Sequence, residues 1–188
     1  MTPTSWILEL RERLAVPPPL ALATEGRKQA ALAPLFVDQG ELWLLLRGPD
    51  GEELVPAAAT LATAPIEGGE DAWAAAERSA AGMGLDPSTV LRLGTLDQVP
   101  SPDGEVIVPC VAAVPSPLDP EARPGGQAAV RLPLQAARVP HLLEERRTVI
   151  RGVEAWVTVA HFGPVKLAGA EVEIVELLLE RVFHGGGN

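Results

Sequence analysis

The sequence predicts a mixed α/β chain: an α/β/α sandwich with a mixed central sheet and an added N-terminal helix. Three observations carry this prediction. Residues 30–37 and 41–47 are two strand-like runs joined by Asp38-Gln39-Gly40, whose glycine readily takes positive φ. Residues 71–83 are alanine-rich and predicted helical, ending at Gly82 and Gly84. Residues 167–183 set Val175, Leu178, Leu179 and Val182 at helical spacing, with Glu171, Glu173, Glu176 and Glu180 expected to face water. Helices and strands mixed along one chain pack as layers on a shared core.

The remaining elements follow in order. Residues 4–14 place Trp6, Ile7, Leu10 and Leu14 on one side of a helix, and the prolines after Val16 stop it, so residues 1–19 form a helix and a proline-rich linker. Residues 48–70 begin as a loop and continue as a small-residue stretch of ambiguous type. Strands are expected at 90–96, 105–114, 128–132 and 153–159, with helices at 134–137 and 141–147. Residues 115–126 are loop-like, and 184–188 are expected to be a disordered tail.

A chain of 188 residues with 47% hydrophobic content is large enough for one core. No apolar run reaches the roughly 20 residues that span a bilayer, and the N-terminus lacks the pattern of a signal peptide, so a cytoplasmic protein without membrane contact is expected. Cys110 is the only cysteine, which excludes an intrachain disulfide, and it sits in an apolar strand pattern as a small core side chain. The net charge of −10 argues against an extended nucleic-acid surface. His141, His161 and His184 lack metal-ligand spacing. Arg146, Arg147 and Arg151 form a basic cluster, either a phosphate contact or a solvated helix end.

Residues 67–85 read Glu-Gly-Gly-Glu-Asp-Ala-Trp-Ala-Ala-Ala-Glu-Arg-Ser-Ala-Ala-Gly-Met-Gly-Leu. They resemble a Nudix box, in which a Gly, five residues, a Glu and seven residues precede Arg-Glu-U-x-Glu-Glu-x-Gly-U, U being a bulky apolar residue. Aligned on Gly84-Leu85, the Arg-Glu pair becomes Glu77-Arg78 and the Glu-Glu pair becomes Ala81-Gly82. The surrounding chain is similar to the coenzyme A pyrophosphatase branch. The matching segments are Leu10-Arg-Glu-Arg-Leu14, Leu44-Leu-Leu-Arg47, Leu93-Gly-Thr-Leu-Asp97 and Ser101-Pro-Asp-Gly-Glu-Val-Ile-Val-Pro109. Leu132-Pro-Leu134 and the region of Trp156 echo later elements of that branch. The resemblance implies a single Nudix-like domain over residues 1–183.

In that family the box glutamates hold divalent cations against a diphosphate. Positions 78, 81 and 82 share one helix face, and here they carry one cation and two uncharged residues in place of three carboxylates, the oxygen ligands that Mg²⁺ or Mn²⁺ prefers. Sliding the alignment so that Glu70 and Arg78 take the signature's Glu-x7-Arg spacing moves the ligand positions to Ser79, Gly82 and Met83, again without a carboxylate. The resemblance therefore implies a Nudix-fold protein without the ordinary hydrolytic chemistry, a ligand-binding or protein-interaction module that needs no cofactor. Its expected partners are a nucleotide or a coenzyme A-like molecule, or a second copy in a homodimer.

The alternative is a divergent pyrophosphohydrolase acting on coenzyme A or another nucleoside-diphosphate-linked substrate. It would use Mg²⁺ or Mn²⁺ on relocated ligands, Glu67, Glu70 and Glu77. Those carboxylates, with Asp71, equally suit an acidic helix start that complements the macrodipole and caps the first turn. Arg78 either contacts an anion directly or pairs with a nearby carboxylate. Arg47 is either an anion contact or a surface charge at a strand end. Trp73 is read as a core side chain.

Overall fold

The computed structural model describes residues 3–23, 26–49, 55–115, 129–138 and 142–184. Strand β1 (Lys28–Asp38) is the spine of the larger sheet, because its odd and even residues are both buried. It pairs in parallel with β6 (Val106–Ala113) on one side. Its other side is shared end to end by two antiparallel partners, β2 (Glu41–Arg47) and β3 (Ala62–Pro65). β4 (Leu91–Thr95) and the short β5 (Val99–Pro100) add to β6, and β7 (Ala129–Pro133) adds to β2. The sheet is therefore mixed, in the order β4-β6-β1-β2-β7 with β3 and β5 as partial partners. At the β1–β2 turn Gln39 and Gly40 have φ of 49° and 84°, the positive pair that a two-residue hairpin needs.

Helices cover both faces. On one, α2 (Ala72–Gly82) presses Ala75, Ala76 and Ala80 onto Ala30, Leu32 and Cys110, small side chains that let the helix approach closely. On the other, α1 (Pro3–Ala15) and α4 (Ala170–His184) bury Leu10, Leu14, Val175 and Leu178 against Ala31, Ala33 and Leu35. This is the expected α/β/α sandwich with its added N-terminal helix. Gly94 is required where α1 crosses β4, since a Cβ there would lie 2.8 Å from Leu14 Cβ. Asp97 ties down the proline-rich linker, accepting a hydrogen bond from the Leu20 N–H at 2.8 Å and a longer one from Arg181 at 3.4 Å.

A second sheet of three strands, β8 (Leu142–Ile150), β9 (Val153–Phe162) and β10 (Val165–Ala168), packs Val157, Val159 and Ala168 against Val55 and Ala58. β8 corrects the helix expected at 141–147. Its nine residues pair with β9 through a two-residue turn, Arg151-Gly152, with φ of 51° and 81°. Cross-strand pairing along the whole strand outweighs the weak helical preference of Leu-Leu-Glu-Glu-Arg-Arg. Two other boundaries move. Leu167 and Ala168 belong to β10, because Gly169 (φ 65°) separates them from α4. His184 is the last helical residue, whereas the tail was expected to begin there. β3 emerges from the stretch left ambiguous, because pairing with β1 gives its small residues a place. Residues 116–126, most of the expected loop, His141, and tail residues 185–188 lie outside the described residues, so those expectations have no structural counterpart here. Among the described residues, no helix is long and apolar enough to cross a membrane.

Candidate functional site

The acidic segment before α2 begins where β3 leaves the sheet. Asp71 caps the helix, its carboxylate accepting from the Ala74 N–H at 2.8 Å. Glu70 turns back over its own loop and accepts from the Glu67 N–H at 2.8 Å. The Arg78 guanidinium then closes on Glu70 with two hydrogen bonds of 2.7 and 3.0 Å, and donates a third to the Pro65 carbonyl at 2.7 Å. Glu67 approaches the same guanidinium at 4.0 Å. The hydrogen bonds from Arg78, and then that from the Glu67 N–H, hold the Glu70 carboxyl below its usual range. Arg78 is held correspondingly more firmly protonated, chiefly by Glu70.

Glu77 faces another way. Its carboxylate takes a bidentate pair of 2.7 and 3.0 Å from Arg92, whose guanidinium also lies 5.4 Å from the centre of the Trp73 ring. Glu67, Glu70 and Glu77 thus divide between two cations. Among the described residues, no three His, Cys, Asp or Glu side chains converge as a metal site. Glu70 and Glu77 are already paired with arginines, and the outer positions Ala81 and Gly82 offer a divalent cation no side-chain oxygen.

Ala81 and Gly82 are exposed, on the same outer side of α2 as Arg78, while Ser79 and Met83 point inward. The Ser79 hydroxyl hydrogen-bonds the Ala76 and Ala62 carbonyls at 2.7 and 3.3 Å, and Met83 is core. Arg47 ends β2, in register with Ala129 and joined through its backbone to Thr60. Cys110 is fully buried, and burial pushes its thiol up to about 12, which leaves it an inert core group. Arg146, Arg147 and Arg151 are strand and turn residues rather than a helix end, and each is paired with a carboxylate.

A cavity of about 410 Å³ opens on the α4 face, lined by Gln29, Thr60, Thr63, Asp103, Arg151 and Glu171 among others. Arg151 donates to Asp103 and Glu105 at 2.9 Å each, and Gln29 donates to Glu105, which is only 7% exposed. Glu171 was expected to face water. It is instead half-buried, and desolvation pushes its carboxyl up to about 7, opposed by hydrogen bonds from its own N–H and from that of Leu61. The sequence carried a signal for this: Glu171 lies four residues before Val175 and seven before Leu178, on the buried stripe itself.

No model of a known protein family matches the chain. No curated protein matches it in sequence. Solved structures do match. A MutT/nudix family protein from Enterococcus faecalis superposes with a TM-score of 0.54 at 17% identity, over 86% of this chain and 64% of the other. The chain has the Nudix fold. It spans a little under two thirds of that neighbour's length. Looser matches include an Ap4A hydrolase from C. elegans (TM-score 0.45, 18% identity, 60% of this chain and 83% of the other). Another is the Nudix domain of Shewanella oneidensis NrtR complexed with ADP ribose (TM-score 0.42, 17% identity, 66% and 82%).

Proposed function

We propose that this chain is a Nudix superfamily protein, related to the coenzyme A pyrophosphatases, that does not carry out metal-dependent diphosphate hydrolysis. It acts as a binding module for a nucleotide or coenzyme A-like molecule, or for a protein. The observation that carries this reading is the set of ligand positions on α2: in either alignment, Arg78, Ala81 and Gly82 or Ser79, Gly82 and Met83, none is a carboxylate, and Ser79 and Met83 are buried. Glu70 and Arg78 have the Glu-x7-Arg spacing of the signature, which supports the alignment that puts Ser79, Gly82 and Met83 at the ligand positions. Two of those side chains are committed to the sheet, and the third is absent. Without a bound cation, neither polarisation of a diphosphate nor activation of water is available.

The rival is hydrolysis through Glu67, Glu70 and Glu77. These are spent on Arg78 and Arg92, and recruiting them would require breaking both ion pairs. The test is a paired measurement on the intact chain with Mg²⁺ and then Mn²⁺. Coenzyme A, ADP-ribose and dinucleotides are assayed for cleavage, and the same compounds for a rise in melting temperature. Stabilisation without cleavage is the expected result. Turnover that disappears in Glu70→Gln or Glu77→Gln overturns the proposal in favour of the hydrolase.

A further inference from the structure

β8 is the outer strand of the smaller sheet, and among the described residues nothing pairs with its far edge. Open edges are usually short, bulged or guarded by charge, because their unpaired N–H and C=O groups recruit another strand. This one runs for nine regular residues, Leu-Leu-Glu-Glu-Arg-Arg-Thr-Val-Ile, with apolar side chains exposed at both ends: Leu142 68%, Leu143 51% and Val149 63%. Trp156, opposite Arg147 on β9, is 67% exposed. The tip of the hairpin is clamped to the body by Arg151 on Asp103 and Glu105, which holds the edge in one orientation.

The geometry of the hairpin decides which groups the edge offers. The Arg151-Gly152 turn is closed by the Ile150/Val153 pair, the hydrogen-bonded pair of a two-residue turn. Bonded and non-bonded pairs alternate along an antiparallel ladder, so the even-numbered residues of β8 bond to β9. Leu143, Glu145, Arg147 and Val149 then direct their backbone groups outward. In an antiparallel partner, outward residues must face outward residues.

We infer that the partner is a second copy of this chain, paired β8 to β8 about a twofold axis through Arg146, the midpoint of the strand. In this register Leu143 faces Val149 of the other copy, Glu145 faces its Arg147, and each contact occurs twice by symmetry. On the opposite side of the sheet Leu142 faces Ile150 and Glu144 faces Thr148. The two Arg146 side chains meet at the axis, each flanked by its own Glu144 at 3.4 Å and diagonally by that of the other copy. Two complementary Glu145–Arg147 contacts thus stand against one like-charged Arg146 pair, which the flanking Glu144 carboxylates compensate. The result is a continuous six-stranded sheet. The inference rests on the edge of β8 and is independent of any activity at α2.

A contact of one strand on another belongs among small interfaces, below about 1,200 Å². Sedimentation should therefore follow the intact chain from micromolar to several hundred micromolar, and a concentration-dependent dimer is expected. Glu145→Arg and Arg147→Glu each turn two attractive contacts into two repulsive ones. Each should weaken dimerisation by roughly tenfold or more, and the double exchange should restore it. Arg147 also pairs with Glu154, so circular dichroism must show each variant folded. Val149→Lys, at an exposed position, provides a second disruption should an exchange variant misfold. A chain that stays monomeric throughout, a dimer indifferent to the single exchanges, or a double exchange that fails to recover overturns the inference.

Discussion

The starts of α2 and α4 lie on opposite faces of one sheet and treat the same side chain in opposite ways. Before α2, Glu70 is at the surface with a guanidinium and a backbone N–H on its oxygens, and its acidity is strengthened. At α4, Glu171 is drawn toward the core with backbone N–H groups as its partners, and its carboxyl rises to about 7. A nearby cation favours the ionised form, whereas burial without one favours the neutral form. The family-like glutamate is therefore neutralised by its guanidinium, and the glutamate that titrates near neutrality lies where the sequence pattern pointed to solvent. Perturbed carboxyls in cavities are where function concentrates, which makes the α4 cavity the place to look for a ligand contact.

The largest expected effect is at Glu171. Its folded value lies above the ordinary 4.5, so between these values the native state holds the proton more tightly than the unfolded chain. Stability from this group should then fall as pH rises from about 4.5 to about 7 and stay low above it. Glu171→Gln removes that slope. It is expected to stabilise the protein at pH 8 by up to about 3 kcal/mol, the shift converted at ~1.4 kcal/mol per unit. Urea unfolding of both proteins across this range measures it; equal pH profiles would remove the contrast.

A smaller effect is expected at Asp71. Losing its bond to the Ala74 N–H in Asp71→Ala should cost about 1 kcal/mol, read as a lower denaturation midpoint with an unchanged slope. The smallest concerns Arg78→Ala. The pair is solvent-exposed and screened, so the melting temperature should barely move, while a carbon-detected NMR titration shows the Glu70 carboxyl rising toward its ordinary value. Any stability difference from wild type belongs above about pH 4.5, where Glu70 is ionised in the unfolded chain, and fades as pH falls through its lowered folded value. A large loss of stability would mean that Arg78 anchors the loop and does more than neutralise it.

Much of this was legible locally. The β1–β2 hairpin, α2 with its acidic cap and the apolar stripe of α4 depend on residues within a few positions of one another. β8 was not legible. Glu144 and Arg147 stand three residues apart and suit a helix, and what makes the segment a strand is β9, recruited by an Arg-Gly turn with no conventional hairpin signature. β3 was hidden for the same reason, since Ala-Thr-Ala-Pro has no pattern of its own until β1 supplies one.

The sequence by itself determined that α2 presents no triad of carboxylates, because composition along a helix face follows from spacing alone. It also determined that a sandwich would form, because amphipathic helices and apolar strands must cover one another. Only the tertiary structure decided that Arg78 reaches Glu70 and the Pro65 carbonyl, that Glu171 is desolvated, and that β8 has an open edge among the described residues. Each of these depends on segments distant in the chain or turned back by a loop, and electrostatic environment and strand pairing are set by neighbours in space.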